Sequence, residues 1–313
     1  MALLKLAPAC KDYIWGGDKL IKKYDKSYNG NRLAETWEVS CHSDGPSLIV
    51  EGDGSGETLR QYIEEKGPDV LGKDCEKFKD FPILIKFIDA TDKLSVQVHP
   101  DDEYAFAHEG QNGKTEMWYV MDCDEGAFLY YGFCKDISSE EFKRRIKDNT
   151  LIDVLNKVKV KKGDVFFIES GTIHAIGAGI VIAEIQQNSN VTYRVYDYGR
   201  KDDKGRERKL QIDKALQVTK TDKMKDDKSF EPHIAKCEYF TVDKIHLDGE
   251  TFKRLSGNVG EDSFVSIIIL EGEGRISQKD QRLELKKGDS IFISAGSGNY
   301  EIEGTLEGLL TRV

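Results

Sequence analysis

The chain is short of cysteine, of positive charge and of long apolar runs, and each shortage excludes something. Its six cysteines (Cys10, Cys41, Cys75, Cys123, Cys134 and Cys237) are scattered, with no C-x-x-C pair. That spacing argues against a thiolate zinc site and a disulfide framework. It reads as reduced, mostly buried thiols of a cytoplasmic protein. No stretch approaches the ~18 consecutive apolar residues of a membrane span, so no membrane partner is expected. The opening M-A-L-L-K-L-A-P-A-C is too short, and too interrupted by Lys5, for a secretory signal. Lys and Arg number 46 against 56 Asp and Glu, a net charge of −10. This argues against nucleic acid as a partner, because phosphate backbones demand a basic face. One local lysine–arginine cluster still suffices for a small anionic substrate.

What the chain does have is enough apolar residue for a substantial core: 39% hydrophobic over 313 residues, in one large domain or two smaller ones. A strand is expected over K-L-S-V-Q-V-H-P-D-D, residues 93–102. Alternation puts Ser95, Gln97 and His99 on one face and Val96 and Val98 on the other, the pattern of a half-exposed strand. Downstream come K-T-E-M-W-Y-V and S-G-T-I-H-A-I-G, which add Glu116 and His174.

The remaining elements are read from pattern and punctuation. A helix is expected over 57–65, ending before Gly67-Pro68, and a buried strand over Phe81–Asp89 with Lys86 in its middle. A lysine inside such a run needs an anion, unless it lies at an edge and snorkels to solvent. Pro100-Asp101-Asp102 starts a helix running toward His108, and 116–121 and 126–133 read as a hairpin. A helical insertion follows over 138–156 with Ser138 as N-cap. Strands are expected over 180–185 and 190–198, a helix over 209–218 and, beyond it, a β-rich remainder. The T-K-T-D-K-M-K-D-D-K-S run supplies the linker.

One unit occurs twice. V-K-K-G-D-V-F-F-I-E-S-G-T-I-H-A aligns with L-K-K-G-D-S-I-F-I-S-A-G-S-G-N-Y at a constant offset, pairing Gly163 with Gly288, Asp164 with Asp289 and Gly171 with Gly296. In the second copy Asn299 stands where the first has His174, and nothing matches Gln97 and His99. A strand–turn–strand unit of this kind, with a histidine after the second turn, resembles the cupin double-stranded β-helix, or jelly roll. The expected architecture is mainly β, with two such domains: 1–220 with helical insertions near 57–71 and 138–156, a linker over 221–231, and 232–313 without metal ligands. The second domain is expected to pack on the first and cover apolar sheet surface.

Gln97, His99, Glu116 and His174 together offer two neutral nitrogens, an amide oxygen and one carboxylate. A divalent ion so held keeps about one positive charge, suited to polarising a substrate oxygen. The plainer reading is that His99 caps a strand end and His174 sits on a turn. Lys114 lies two before Glu116, and Asn190, Thr192 and Arg194 share one face of their strand. Arg194 is either a surface partner for an acid or a fixed cation able to hold a phosphate or an oxyanion.

The ordered set Y-I-W-G-G, A-E-T-W-E-V-S, L-I-K-F-I-D-A, L-S-V-Q-V-H-P-D-D, G-K-T-E-M-W-Y-V, G-T-I-H-A-I-G-A-G, E-I-Q-Q-N-S and T-Y-R-V-Y-D-Y resembles the type I mannose-6-phosphate isomerases, in their shorter bacterial form. The resemblance implies one zinc ion per chain, bound by Gln97, His99, Glu116 and His174. It implies an aldose–ketose isomerase of carbohydrate metabolism that interconverts mannose 6-phosphate and fructose 6-phosphate through a cis-enediol. Arg194 falls on the family's active-site arginine, Lys86, Lys114 and Ser95 on polar pocket positions, and Trp15 on an aromatic near the mouth. Lys114 and Arg194 would stabilise the enediolate or hold the phosphate, while Lys86, Lys114, Glu35 and a metal-bound water stay open as proton carriers. Members often have an acid four residues before the arginine, in an N-S-D stretch; this chain has Asn190. The alternatives are a non-catalytic sugar-phosphate-binding cupin and an iron-dependent cupin oxygenase. No heptad or apolar stripe points to an oligomer.

Overall fold

The structure is a computed structural model that describes residues 2–201, 204–225 and 228–313. Its strands are β1 (Leu3–Ala7), β2 (Ala9–Lys11), β3 (Glu35–Val39), β4 (Leu48–Glu51), β5 (Ile83–Ala90), β6 (Val96–Val98), β7 (Glu116–Cys123), β8 (Phe128–Phe133), β9 (Leu155–Lys159), β10 (Val165–Ile168), β11 (His174–Ala175), β12 (Ile180–Gln187) and β13 (Tyr193–Tyr196). They continue with β14 (Ala235–Lys236), β15 (Thr241–Asp248), β16 (Arg254–Val259), β17 (Val265–Gln278), β18 (Gln281–Lys286), β19 (Ser290–Ile293) and β20 (Gly298–Arg312). The helices are short: α1 (Lys19–Tyr24), α2 (Leu59–Lys66), α3 (Asp102–Glu109), α4 (Ser139–Lys147) and α5 (Ile212–Val218). None is long and apolar enough to cross a membrane.

Three sheets form. A six-stranded sheet runs β10-β7-β12-β5-β3-β2, and a five-stranded sheet runs β13-β6-β11-β8-β9. The third runs β14-β15-β20-β17-β19-β1-β4, with β16 on β20 and β18 on β17. The centre of the six-stranded sheet is set by two nearly unbroken apolar runs, I-L-I-K-F-I-D-A and I-V-I-A-E-I-Q-Q, buried along their whole length. They pair antiparallel from Ile180 opposite Ala90 to Gln187 opposite Ile83. Alternation then divides β5 between two cores. Ile83, Ile85 and Phe87 join Phe240, Phe264, Ile268 and Phe292 of the second half, so the C-terminal strands cover the back of this sheet. Ile88 and Ala90 face the other way, with Trp118, Leu129 and Tyr131, in the space between the six- and five-stranded sheets.

Several sequence expectations need correction. β7 and β8 do not form a hairpin. Both flanks of β7 are filled by β10 and β12, so the turn at Asp124–Ala127 carries the chain across to the five-stranded sheet. The insertion after Ser138 caps as expected, Glu141 N–H donating to Ser138 Oγ at 3.1 Å. However, α4 stops at Lys147, Asn149 takes a positive φ of 55°, and β9 has already begun at Leu155. The strand carrying Arg194 starts only at Tyr193, leaving Asn190 and Thr192 ahead of it. The strand at Val96–Val98 is not half-exposed, because Val96 and Val98 join a core with Phe133, Phe142 and Tyr193 while Ser95 and His99 are buried on the other face. α2 bears a capping box, Thr58 and Gln61 bonding each other's backbone N–H.

The repeat is exact in its hydrogen bonds. Gly163 N–H donates to Val120 O and Val120 N–H to Asp164 O; Gly288 N–H donates to Ile269 O and Ile269 N–H to Asp289 O. Lys161 and Lys286 N–H donate to the carboxylates of Asp164 and Asp289. By register, Ile168 faces Glu116 in one copy and Ile293 faces Val265 in the other, so an apolar residue stands where the first copy has its acid. The segment read as a linker includes residues 226–227, which lie outside the described residues. Before them it is docked on the first half, Met224 N–H donating to Phe133 O at 2.9 Å.

Candidate active site

Two ladders of side chains face each other between the sheets. On the five-stranded sheet Gln97 pairs with Arg194 on one side and His174 on the other. On the six-stranded sheet Lys86 pairs with Trp37 and Glu184, and Glu184 with Trp118. The Trp118 and His174 rings meet edge-on across the gap at 5.3 Å. Residues from strands far apart in sequence are thus held in rows by the ladders themselves.

At one end His99, Glu116 and His174 converge. All three are buried, and one potential donor atom from each lies within 4.8 Å of the others. His99 Nδ1 faces Val191 O and His174 Nδ1 faces Thr172 O, each at 2.8 Å. A carbonyl partner makes Nδ1 the protonated nitrogen, so both Nε2 atoms keep their lone pairs, 3.4 Å (His174) and 3.7 Å (His99) from the Glu116 carboxylate. Burial presses His174 down to about 4 and His99 well below its ordinary value, with Lys114 adding repulsion in both, so the imidazoles are neutral. Burial and the Glu184 charge push Glu116 up to about 7. Glu116 Oε1 is buried with no hydrogen-bond partner among the described residues, while Oε2 takes Lys114 Nζ. The amide of Gln97 completes the cluster, its Nε2 at 3.4 Å from His174 Nε2; exchanging the two amide ends brings its oxygen there. Two neutral imidazoles, an amide and a carboxylate with an orphaned oxygen form a donor set that fits a divalent cation.

Beside the donors lies a run of alternating charge. Lys114 Nζ also meets His99 Nε2 at 3.1 Å and Glu184 Oε1 at 3.6 Å. Glu184 Oε1 is 3.1 Å from Lys86 Nζ, and Glu184 Oε2 accepts from Trp118 Nε1 at 3.0 Å. Lys86 Nζ reaches Glu35 at 3.9 Å, whose other contact is Trp37 Nε1 at 2.8 Å. Lys86 is 4% exposed, so it does not snorkel; its anions are Glu184 and Glu35. Burial alone would lower the Lys86 ammonium, but those two carboxylates raise it overall. In turn Lys114 and Lys86 outweigh the burial of Glu184 and hold it low, at about 2. Arg194 anchors its backbone to Gln211 in both directions, and its side-chain Nε is buried without a partner among the described residues. Ser95 is buried two residues from Gln97, its hydroxyl 3.5 Å from the amide oxygen. Trp15 is core, at 3% exposure, and the ring at the surface is its neighbour Tyr13, 5.6 Å away.

Family models match the chain at both ends: the phosphomannose isomerase type I catalytic domain over residues 3–126 and the mannose-6-phosphate isomerase cupin domain over 231–312. A probable mannose-6-phosphate isomerase of Bacillus subtilis (strain 168) is 37% identical over 98% of each chain. The chain belongs to the mannose-6-phosphate isomerase family. A mannose-6-phosphate isomerase of Streptococcus mutans is 37% identical over 94% of this chain and 93% of its own. The crystal structure of mannose 6-phosphate isomerase from Bacillus subtilis superposes with a TM-score of 0.90 at 32% identity, covering the whole of both chains. The fold is therefore the mainly β, cupin-based one of that family. Sequence reasoning for this family member missed Glu184. The signal was present, an acid inside the apolar run I-V-I-A-E-I as Lys86 is a base inside I-L-I-K-F-I.

Proposed function

We propose that this protein is a metal-dependent aldose–ketose isomerase that interconverts mannose 6-phosphate and fructose 6-phosphate. The observation that carries the reading is the meeting of one ion-binding donor set with three cations, Lys86, Lys114 and Arg194, between two sheets. Gln97, His99, Glu116 and His174 would hold the ion, and zinc suits their nitrogen and oxygen donors. A bound divalent ion supplies Lewis-acid polarisation of the sugar's carbonyl oxygen.

The rest is done by the chain. Aldose and ketose differ by one proton moved between C2 and C1 and one moved between their oxygens, through a cis-enediol, so no oxidant is needed. Lys114 and Arg194 divide the phosphate and the enediolate oxygen between them, placing fixed positive charge where negative charge sits or develops. Glu184 keeps the Lys86 ammonium charged and helps aim both it and Lys114, which makes it a positioning residue. Ser95 and Glu35 line the sugar pocket. Residues 1–220 carry this chemistry, 221–231 connect, and 232–313 support; the reading suits a cytoplasmic enzyme of mannose metabolism.

The test is to purify the protein, measure its metal content, and assay fructose 6-phosphate formation from mannose 6-phosphate with and without chelator. Zinc, turnover and loss of turnover on chelation are expected. Iron without isomerase activity would favour an oxygenase, and zinc without turnover a sugar-phosphate-binding cupin. Chelator-insensitive turnover would sink the metal role.

A further inference from the structure

The loop joining β3 to β4 carries C-H-S-D-G, residues 41–45, and is held rigidly. Ser47 N–H donates to Ser40 O at 2.9 Å, and Ser47 Oγ bonds back to Trp37 O and Glu38 O at 3.0 Å each. Gly45 N–H closes a turn on His42 O, and Asp44 N–H donates to His42 Nδ1 at 3.1 Å. Lys11 Nζ clamps Asp44 O at 2.5 Å while lying over the Trp37 ring at 4.7 Å. The Asp44 side chain is therefore presented from a fixed backbone.

Its carboxylate reaches an unexpected partner. Asp44 Oδ2 accepts from Asn190 Nδ2 at 3.0 Å, across 146 residues of sequence. Asn190 is the place, four before Arg194, where the family resemblance leads one to expect an acid. The amide at 190 thus has a carboxylate hydrogen-bonded to it. It binds one that arrives from another loop.

Asp44 also connects inward. His42 Nδ1 lies 3.6 Å from Asp44 Oδ2, and the His42 ring meets Trp37 edge-on at 5.5 Å. Trp37 holds Glu35, and Glu35 faces Lys86. The Tyr13 hydroxyl lies in the combined field of Glu35, Lys86, Arg194 and Asp44. All described contacts of the Asp44 side chain go to Oδ2, so Oδ1 has no protein donor among them.

We propose that Asp44 is a substrate-binding residue of this site, its carboxylate accepting a hydroxyl of the phosphorylated sugar in the place an acid at 190 would otherwise serve. The proposal rests on the function proposed above. A carboxylate acceptor is worth more to a sugar hydroxyl than a neutral one, and a charged partner lost on one face of the pocket weakens binding without touching the chemical step.

The experiment is a charge exchange. Asp44→Asn should raise KM roughly tenfold with kcat little changed. Asp44→Asn combined with Asn190→Asp puts the carboxylate back from the other side of the same hydrogen bond, and KM should return to within about threefold of the parent. Thermal melts of both variants should stay close to the parent, as the contact is solvent-exposed. A KM untouched by Asp44→Asn, or a double variant no better than the single, would overturn the proposal, as would a fall confined to kcat. Titrating the metal-loaded proteins with fructose 6-phosphate reads the same exchange as affinity. A parent that binds the sugar but does not turn it over refutes the isomerase reading, while the exchange in affinity still decides Asp44.

Discussion

Glu184 and Lys86 show how much of the site rests on pairs no local pattern specifies. They are 98 residues apart, face each other in the ladder, and are both buried. A lone ion at that depth would be prohibitively costly, so each requires the other. Lys86→Met should therefore destabilise the fold by about 3 kcal/mol, because Glu184 and Glu35 lose their shared cation while Lys114 still faces Glu184 at 3.6 Å. Urea unfolding reads this directly; a loss below about 1 kcal/mol would mean that Lys114 alone satisfies the acid. Of the residues named from sequence, His99, Glu116 and His174 stand out as metal-donor types at strand ends, and Gln97 through its place two before His99 on the same face. Trp15 lies in the core rather than at the surface, and a W-G-G corner does not by itself say which aromatic turns inward. Asp44 was invisible because its meaning lies in a contact with Asn190.

The repeated turn separates local from tertiary constraint at the scale of an element. Gly163 and Gly288 share φ of 91° and the same hydrogen bonds, so an added Cβ is strained at both. Their surroundings differ. At 163 a Cβ would meet only the Tyr119 hydroxyl at 3.8 Å, whereas at 288 it would lie 2.2 Å from Tyr24 O. Gly163→Ala should cost about 1–2 kcal/mol, and Gly288→Ala clearly more, since backbone must move. Denaturant midpoints of the two variants at unchanged m compare them. Equal losses would show that Tyr24 yields freely. The two central strands, Ile83–Ala90 and Ile180–Gln187, followed from their apolar runs, whereas Val96–Val98 and Tyr193–Tyr196 are shorter than pattern alone suggests. The supposed hairpin failed because a short turn fixes proximity along the chain but not which sheet the next strand joins.

For the molecule as a whole, the second half is tied to the first through buried polar contacts as well as apolar ones. β1 pairs with β19, so the N-terminal strand belongs to the C-terminal sheet. Glu38, the extra residue of a bulge in β3, takes Lys26 Nζ at 2.7 Å and Ser290 Oγ at 2.6 Å, and Lys26 Nζ also bonds Gly288 O at 2.5 Å. The strand that presents Glu35 and Trp37 is thus braced from across the interface. The same burial predicts the pH response. His42, His99 and His174 are depressed from 6.5 by burial, so they stay neutral in the fold and gain protons first in the unfolded chain. Asp122, Asp197 and Asp243, despite partial burial, are held below 3.8 by Lys23, by Arg208 with Arg200, and by His233 with Arg312. Every one of these folded-state values lies below its unfolded counterpart. Each contribution is therefore whole above the unfolded pKa and lost as pH falls. Glu116, raised to about 7, takes up its proton first in the fold and opposes this, but it is one group against three histidines, so chelated protein should lose stability in two stages, below about 6.5 and again below about 4. Urea unfolding at stepped pH checks it, and a stability flat from pH 7 to 5 would contradict the histidine stage.

The sequence by itself determined the donor types, the apolar strands and the twice-used K-K-G-D turn, because donor chemistry, periodicity and turn conformation are properties of near neighbours. The tertiary structure decided which sheet received β8, which carboxylate answered Lys86, and where Asp44 reached. Those are matters of register between distant strands, and register is set by how whole faces bury together rather than by any one segment.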